Sequence, residues 1–520
     1  MANPAAAPAA MPPMRGAMLV VASMALALAT FMNVLDVSIA NVSIPAMSGD
    51  LGVSISQGTW VITSFAVANA IAVPLTGFLT QRFGAVRVFI SSILLFVIAS
   101  FLCGMSTSLG MLIFFRVIQG AVAGPMIPLS QSLLLSSYPK AKAGLALTIW
   151  SMTTLVAPVA GPLLGGWITD NISWPWIFYI NIPIGLLAAG VTWALYRKRE
   201  TPTRQVPIDY IGLALLIVWV GALQIMLDKG NELDWFNSTQ IITLAIISLV
   251  TFCFFLVWEL TDVHPVVDLS LFRKRNFWSG TLSLSVGYGI FFGNVVLLPQ
   301  WLQQDMGYTA TLAGAVLAPV GLLAILLSPL VGKNIAKVDP RLFATLAFGV
   351  FALILWMRSQ FTTQADFVTI MIPSLIQGIA MAAFFVPLMT LIFAGLTPDK
   401  IPAASGLSNF VRIMAGGFGA SIYTSNWENR SVVHHAVLTE HINFANQVSD
   451  AVLNMLTKMG MTQQQALSFV NNLINQQAAT LAANDLTWLS ALLFIALTGF
   501  IWLIHPPKTR SAATADAGAH

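Results

Sequence analysis

The side chains under the strongest chemical constraint in this sequence are ionisable groups set inside long apolar runs. Asp36, in FMNVLDVSIANVSIP (31 to 45), lies about 8 Å from the nearer end of a run from about 17 to 40, and its side chain is too short to reach back to water. Asn33 precedes it by three residues and shares its helical face. Arg116, in RVIQGAVAGPMIPL (116 to 129), sits roughly 11 Å into a run from about 109 to 134, with Gln119 one turn on. An aspartate at the centre of a bilayer-spanning helix costs about 2.5 to 3.5 kcal/mol. Opposite charges at matching depth lessen that cost by pairing, directly or through water. The chemistry open to such an acid is reversible protonation. Desolvation holds the proton and a nearby cation expels it, so an acid whose surroundings differ between two conformations takes a proton on one side of a membrane and releases it on the other. Structural anchoring is the alternative use of the same pair.

Asn409 and Arg412, in SNFVRIMAGGFGAS (408 to 421), repeat the pattern of a buried cation with an amide one turn away, without an evident acid. GYGIFFGNVVLLPQ (287 to 300) places Tyr288, Phe291, Phe292 and Asn294 in one apolar run. Such a wall holds varied apolar or cationic ligands through contact area and ring faces, and ordinary packing uses the same residues. With Asn33 and Gln119, these are the candidates for a substrate cavity. Glu259 ends an apolar run where interfacial solvation accounts for it. The histidines avoid the middles of the runs, and no titratable groups converge as catalysis or metal binding requires. The reading is a non-enzyme without catalytic residues, metal or other cofactor.

What positions these residues is a series of membrane helices. The chain is 57% apolar and 8% charged, whereas soluble domains carry about a quarter of their residues charged. Runs long enough for a bilayer, about 20 residues each, fall near 17 to 40, 58 to 79, 87 to 105, 109 to 134, 143 to 165, 176 to 195, 209 to 227, 240 to 258, 278 to 300, 310 to 331, 342 to 357, 368 to 395, 402 to 425 and 485 to 504. They are too long and too rarely alternating for an outer-membrane barrel. With both termini cytoplasmic, most of the 24 lysines and arginines fall inside, and Lys229, Arg358, Arg430 and Lys458 fall outside. The net charge of +4 therefore reflects topology and implies no nucleic-acid partner. Cys103 and Cys253 both lie in apolar runs, so no disulfide framework is expected. The first run is longer than a signal-peptide core, lacks an Ala-x-Ala end and is read as retained.

The expected fold is an all-α integral membrane protein of fourteen transmembrane helices arranged 6+2+6. Its segments are an N-terminal tail (1–16), a six-helix bundle (17–196), a linker carrying two extra helices (197–275), a second six-helix bundle (276–504) and a C-terminal tail (505–520). Ile-Gln-Gly followed by Pro-Leu occurs both at 118 to 129 and at 376 to 388, an echo that points to two related halves with substrate held between them. Residues 426–484 form an outward loop with apolar residues at helical spacing. They read as an amphipathic hairpin with MGMTQQ as the turn and Thr462 as N-cap. That hairpin is either a lid on its own outer surface or a docking surface for a partner.

VAPVAGPLLGG (156 to 166) sets Gly161 and Gly165 four apart on a flat helix face, at a place suited to a seam that seals while the other side opens. Pro158 and Pro162 favour bending there. This stretch, with GFLTQRFGAVR (77 to 87), IFFRVIQGAVAG (113 to 124) and LDVSIANVSIP (35 to 45), resembles the motifs of the major facilitator superfamily and, within it, of the fourteen-helix drug:proton antiporters. The resemblance carries over to Asp36, to Arg116, Gln119 and Gly120, to Gly161, Pro162, Gly165 and Gly166, and to the loop residues Gly77, Arg82, Gly84 and Arg87. Gln81 stands where the loop motif has aspartate.

The resemblance implies an inner-membrane pump in which proton entry drives hydrophobic drugs and other toxic compounds out of the cytoplasm or inner leaflet by alternating access. It also implies a tripartite system, with a periplasmic adaptor of the EmrA type and an outer-membrane channel of the TolC type. No Gly-x-x-x-x-Gly-Lys-Ser/Thr loop is present, so ATP is not the expected energy source. The alternative within transporters is export of a native metabolite such as a siderophore or fatty acid. An ion channel, which needs polar pore rings, and a membrane-embedded enzyme fit less well.

Overall fold

Every regular element among the described residues is helical, as expected of a chain that satisfies its backbone hydrogen bonds inside lipid without closing a barrel. The computed structural model describes residues 14–139, 142–205, 207–230, 232–263, 265–335, 337–440 and 447–505. Most of both expected tails lies outside them.

The principal helices are α1 (Gly16–Val42), α2 (Trp60–Ala72), α3 (Thr76–Phe83), α4 (Ala85–Gly104), α5 (Leu109–Ala123), α6 (Met126–Ser137), α7 (Ala143–Asn171), α8 (Asn181–Tyr196), α9 (Tyr210–Lys229), α10 (Thr239–Thr261), α11 (Arg275–Gln304), α12 (Ala310–Asn334), α13 (Pro340–Arg358), α14 (Phe367–Phe393), α15 (Ile401–Glu440), α16 (Gln447–Lys458) and α17 (Gln463–Phe500). Among the described residues, eleven helices are long and apolar enough to cross a membrane, or twelve when α2 and α3 count as one bent span. Helices α7 and α15, of 29 and 40 residues, are long as well.

The breaks have local causes. Pro74 lacks an N–H and its ring crowds the preceding turn, and the chain bends by 58° between α2 and α3. Gly124 and Pro125 interrupt the chain between α5 and α6, which nonetheless run on as one span from Leu109 to Ser137. Side-chain oxygens start several helices: Ser108, Asp209, Thr309, Asp339 and Asp366 each accept an N–H of the first turn of α5, α9, α12, α13 and α14.

Two bundles result. In the first, α1 packs on α7 and α8, and α5 on α2 and α4. In the second, α11 packs on α15, α14 on α12 and α13, and α17 on α13 and α15. Outward faces stay apolar, as at Leu94, Leu95 and Ile98 of α4 and Leu322, Leu326 and Leu330 of α12, which suits lipid contact. At the end of the molecule that holds Met14 and His505 the halves interlock, with a glycine on one side of each close contact and a side chain of the other half against it. A Cβ at Gly144 would lie 2.0 Å from Ile335, one at Gly332 2.1 Å from Thr148, and one at Gly77 2.8 Å from Ala403.

Three expectations change. Helices α15 and α17 continue far past the apolar runs that announced them, so the 426–484 segment is largely two helix extensions joined through α16. Their polar residues pair across the gap, as Arg430 and His434 do with Asp485, instead of ending the helices. The turn is as expected: Gly460 has φ +94°, and Thr462 forms a capping box with Gln465. Helix α9 touches α2 of the first half and α15 of the second, and α10 packs on α9. Glu259 is not at a solvated boundary but 3% exposed, and its Oε2 accepts the Val267 N–H at 3.1 Å. Arg358, expected in an outer loop, is the last residue of α13 and 4% exposed.

Candidate functional site

In the first half, the polar strip of α1 meets that of α5. Arg116 Nη1 donates to Asp36 Oδ2 at 2.5 Å and to Gln119 Oε1 at 2.8 Å, and both charged side chains have zero exposure. Asp36 Oδ1 accepts from Gln119 Nε2 at 3.1 Å and from Asn181 Nδ2, at the start of α8, at 2.8 Å. Asn181 is held in turn by Ser100 of α4, and Cys103 Sγ donates to Gln119 Oε1 at 3.5 Å. Arg116 Nε donates to the Val61 carbonyl of α2 at 3.0 Å, and its guanidinium lies 4.2 Å from the Phe65 ring centre and 5.6 Å from that of Phe178.

The backbone makes this possible at Gly120. A Cβ there would stand 2.4 Å from the Phe65 carbonyl oxygen, so only glycine lets α5 lie close enough for Arg116 to reach α2. The pair is direct, with no water needed between the charges. An acid fully supplied with donors and a cation, in a dry pocket, is strongly held while this geometry lasts.

A second polar layer lies between the halves. Gln131 Oε1 on α6 accepts from the Ser405 hydroxyl on α15, and from Asn409 Nδ2 at 3.5 Å. Arg412 Nη2 donates to Asn409 Oδ1 at 2.8 Å and the guanidinium lies 4.7 Å from the Tyr288 ring centre and 5.6 Å from that of Phe385. A third tie runs through α9: Asp228 accepts from the Thr63 hydroxyl of α2, Lys229 Nζ donates to Thr59 at 3.2 Å and to Glu232 at 2.6 Å, and the Leu227 carbonyl accepts from Ser421 of α15 at 2.6 Å.

The remaining expected site residues divide. Tyr288 and Phe292 stack at 5.8 Å beside Arg412, whereas Phe291 packs on Phe351 and Asn294 Nδ2 donates to the Tyr423 hydroxyl at 3.1 Å, both inside the second half. Asn33 turns from Asp36 to donate to the Ala123 carbonyl at 3.2 Å. Gly161 and Gly165 press on Ser38 and Ile39 of α1, so their seam is internal to the first half and does not face the other bundle. Gly166 meets open space, and the side chain of Pro162 lies outside the described ones. In the loop motif Gly84 has φ +93°, and Arg82 stacks on Phe83. The Val86 and Arg87 N–H groups both donate to Glu200 at 3.0 Å, which ties the loop to the linker after α8.

Sequence reading missed Asn181, Gln131 and Asp228. The first two are neutral amides in apolar runs, the same signal that marked Asp36 but without charge. The described residues hold no group of three or more His, Cys, Asp or Glu placed to bind a metal.

Two helical halves, a buried acid in one of them and a polar layer between them are the plan of a membrane transporter that works by rearranging its halves. The chain belongs to the Major Facilitator Superfamily, whose model matches residues 26–420. It is 52% identical over 509 residues to the multidrug export protein EmrB of Escherichia coli K12, covering 98% of this chain and 99% of that protein. It is 47% identical over 496 residues to the fatty acid resistance protein FarB of Neisseria gonorrhoeae, covering 95% and 98%. The human organic anion transporter MFSD10 (TETRAN) shares the fold, with a TM-score of 0.57, 13% identity and coverage of 93% of this chain and all of that one.

Proposed function

We propose that this protein is a proton-driven antiporter that exports hydrophobic drugs and other toxic compounds across the bacterial inner membrane. The observation that carries the reading is the fully buried Asp36, held by Arg116, Gln119 and Asn181 in the first half. In this conformation both carboxylate oxygens are occupied by donors, so a proton enters only when Arg116 withdraws. Movement of α5 against α1 does this, and the break at Gly124 and Pro125 lets α5 move without α6. Protonation then removes the attraction that restores the pair, and the halves are free to change the side to which they open.

One proton crossing about 150 mV yields roughly 3.5 kcal/mol, which sustains a cargo gradient of some two and a half decades. Cargo of mixed chemistry is met by Arg412, Tyr288 and Phe292 at the interface, where a cation and ring faces recognise without fixed geometry.

The chain has fourteen spans in the order 6+2+6 with both termini cytoplasmic. The halves are 17–196 and 276–504 and the 197–275 linker carries α9 and α10. In that orientation the interlocked end is the inner one, and the conformation is closed to the cytoplasm. The helical extensions within 426–484 then stand in the periplasm, and their projection supports docking of an adaptor of the EmrA type that leads to a TolC-type channel. The second reading, export of a fatty acid or other native metabolite with drugs as incidental cargo, is favoured by the likeness to FarB.

Asp36→Asn tests the proposal. In proteoliposomes with an imposed pH gradient and a panel of drugs and fatty acids, the variant inserts normally and builds no cargo gradient, against the two and a half decades accessible to the parent. Near-normal driven transport by Asp36→Asn excludes Asp36 as the proton carrier, and the ranking of cargoes separates the two substrate readings.

A further inference from the structure

A second arginine is buried without an acid. Arg358 closes α13 at 4% exposure. Its Nη2 donates to Gln377 Oε1 at 2.7 Å and to Ser374 Oγ at 3.2 Å, both on α14, and its buried Nε has no partner. No ion pair involves it among the described residues. Arg358 lines a cavity of about 20 Å³ whose walls include Asn294, Trp301, Phe361, Asn484 and Thr487 together with the apolar Leu297, Leu298 and Ala483. The amide and indole groups on that wall already have partners: Asn294 Nδ2 donates to Ile290 and Tyr423, Trp301 Nε1 to Thr480, and Asn484 Nδ2 gives one N–H to the Phe361 carbonyl. The one charged group on that wall is Arg358.

A cation removed from water without a counter-charge carries a penalty of several kcal/mol. Neutral acceptors such as Gln377 and Ser374 solvate it but do not neutralise it. The cavity exceeds the roughly 10 to 15 Å³ that one water needs and is far below the size of an organic carboxylate. Charge, donor and size together select one ligand class. We propose that Arg358 holds a small monovalent anion, of the size and charge of chloride, in the cavity between α11, α13 and α17. The ion supplies in the second half the negative charge that Asp36 supplies in the first.

The test uses the purified full-length chain in detergent and measures equilibrium binding of radiolabelled chloride, with gluconate holding ionic strength constant. The parent binds one chloride per chain saturably, and its thermal unfolding midpoint rises with chloride and not with gluconate. Arg358→Gln weakens binding by at least about tenfold and removes the chloride effect on unfolding, while Arg197→Gln, at an exposed cation, changes neither. Thr487→Leu, which fills the cavity and keeps the cation, also loses the ion. Absence of saturable binding in the parent, or binding that survives in both Arg358→Gln and Thr487→Leu, overturns the assignment. Binding is read without transport, so the result is independent of Asp36.

Discussion

The two Ile-Gln-Gly sites, one in each half, solve the same packing problem and differ in one charge. Gly120 of α5 meets the Phe65 carbonyl of α2, and Gly378 of α14 meets the Val320 carbonyl of α12, with hypothetical Cβ atoms at 2.4 and 2.7 Å. The glutamine before each glycine serves an arginine: Gln119 accepts from Arg116 and Gln377 from Arg358. The arginines come from different elements, α5 itself in the first half and the end of α13 in the second. Only the first half then adds an acid, Asp36. The glycine contact and the arginine–glutamine bond are common to both sites, and the buried carboxylate belongs to the first alone. On the proposed function, one side chain on α1 then gives the first half the proton chemistry.

The largest effect that tests this contrast comes from removing each arginine. Arg116→Met strands Asp36 in a dry pocket and costs about 3 to 5 kcal/mol, read as a lowered unfolding midpoint in detergent. Arg358→Met strands no acid and leaves only the neutral Gln377 and Ser374 without their donor, so it costs less than Arg116→Met. Equal losses in the two variants would break the comparison.

The glycines provide the next size of effect. Alanine at Gly120 or Gly378 forces backbone apart and costs about 1 to 3 kcal/mol at either site, measured by the same unfolding assay. Only Gly120→Ala also lowers pH-driven transport, because only there does the displaced helix carry the cation that holds Asp36.

The smallest effect concerns an acid that the second half does possess, beyond the end of α11. Burial pushes the Asp305 carboxyl up to about 6, and its Oδ2 has no partner. A carboxyl whose folded value exceeds its unfolded one binds its proton more tightly when folded. Its contribution is therefore full below pH 4 and lost as pH rises through 6. Asp305→Asn removes that slope, by less than about 1 kcal/mol for a partly solvated group, and pH-dependent unfolding of variant and parent checks it.

Charge inside apolar sequence made Asp36, Arg116 and Gln119 legible, because an ionised group in lipid requires an explanation that a neutral one does not. Asn181 completes the same pocket and stayed hidden for that reason: an amide at the start of a helix looks like any other. Arg358 was hidden by the opposite effect, since an arginine after an apolar run looks like the beginning of a loop until α14 and α17 close over it. Tyr288, Phe291, Phe292 and Asn294 read as one wall, and the helical turn splits them between the interface and the interior of the second half. The 426–484 segment read correctly as helical with a cap at Thr462, but polar composition concealed that its helices are continuous with the spans.

The sequence alone determines that this chain lives in a membrane, that its elements are helices and that an acid and a base share a depth within them, because burial energies in lipid depend on residue type and run length. Which groups touch was decided by tertiary structure: the Asn181 bond to Asp36, the wedge of α9 between the halves, the enclosure of Arg358. Those outcomes depend on how helices with similarly apolar surfaces are turned toward one another, and interhelical geometry of that kind leaves no period in the sequence to read.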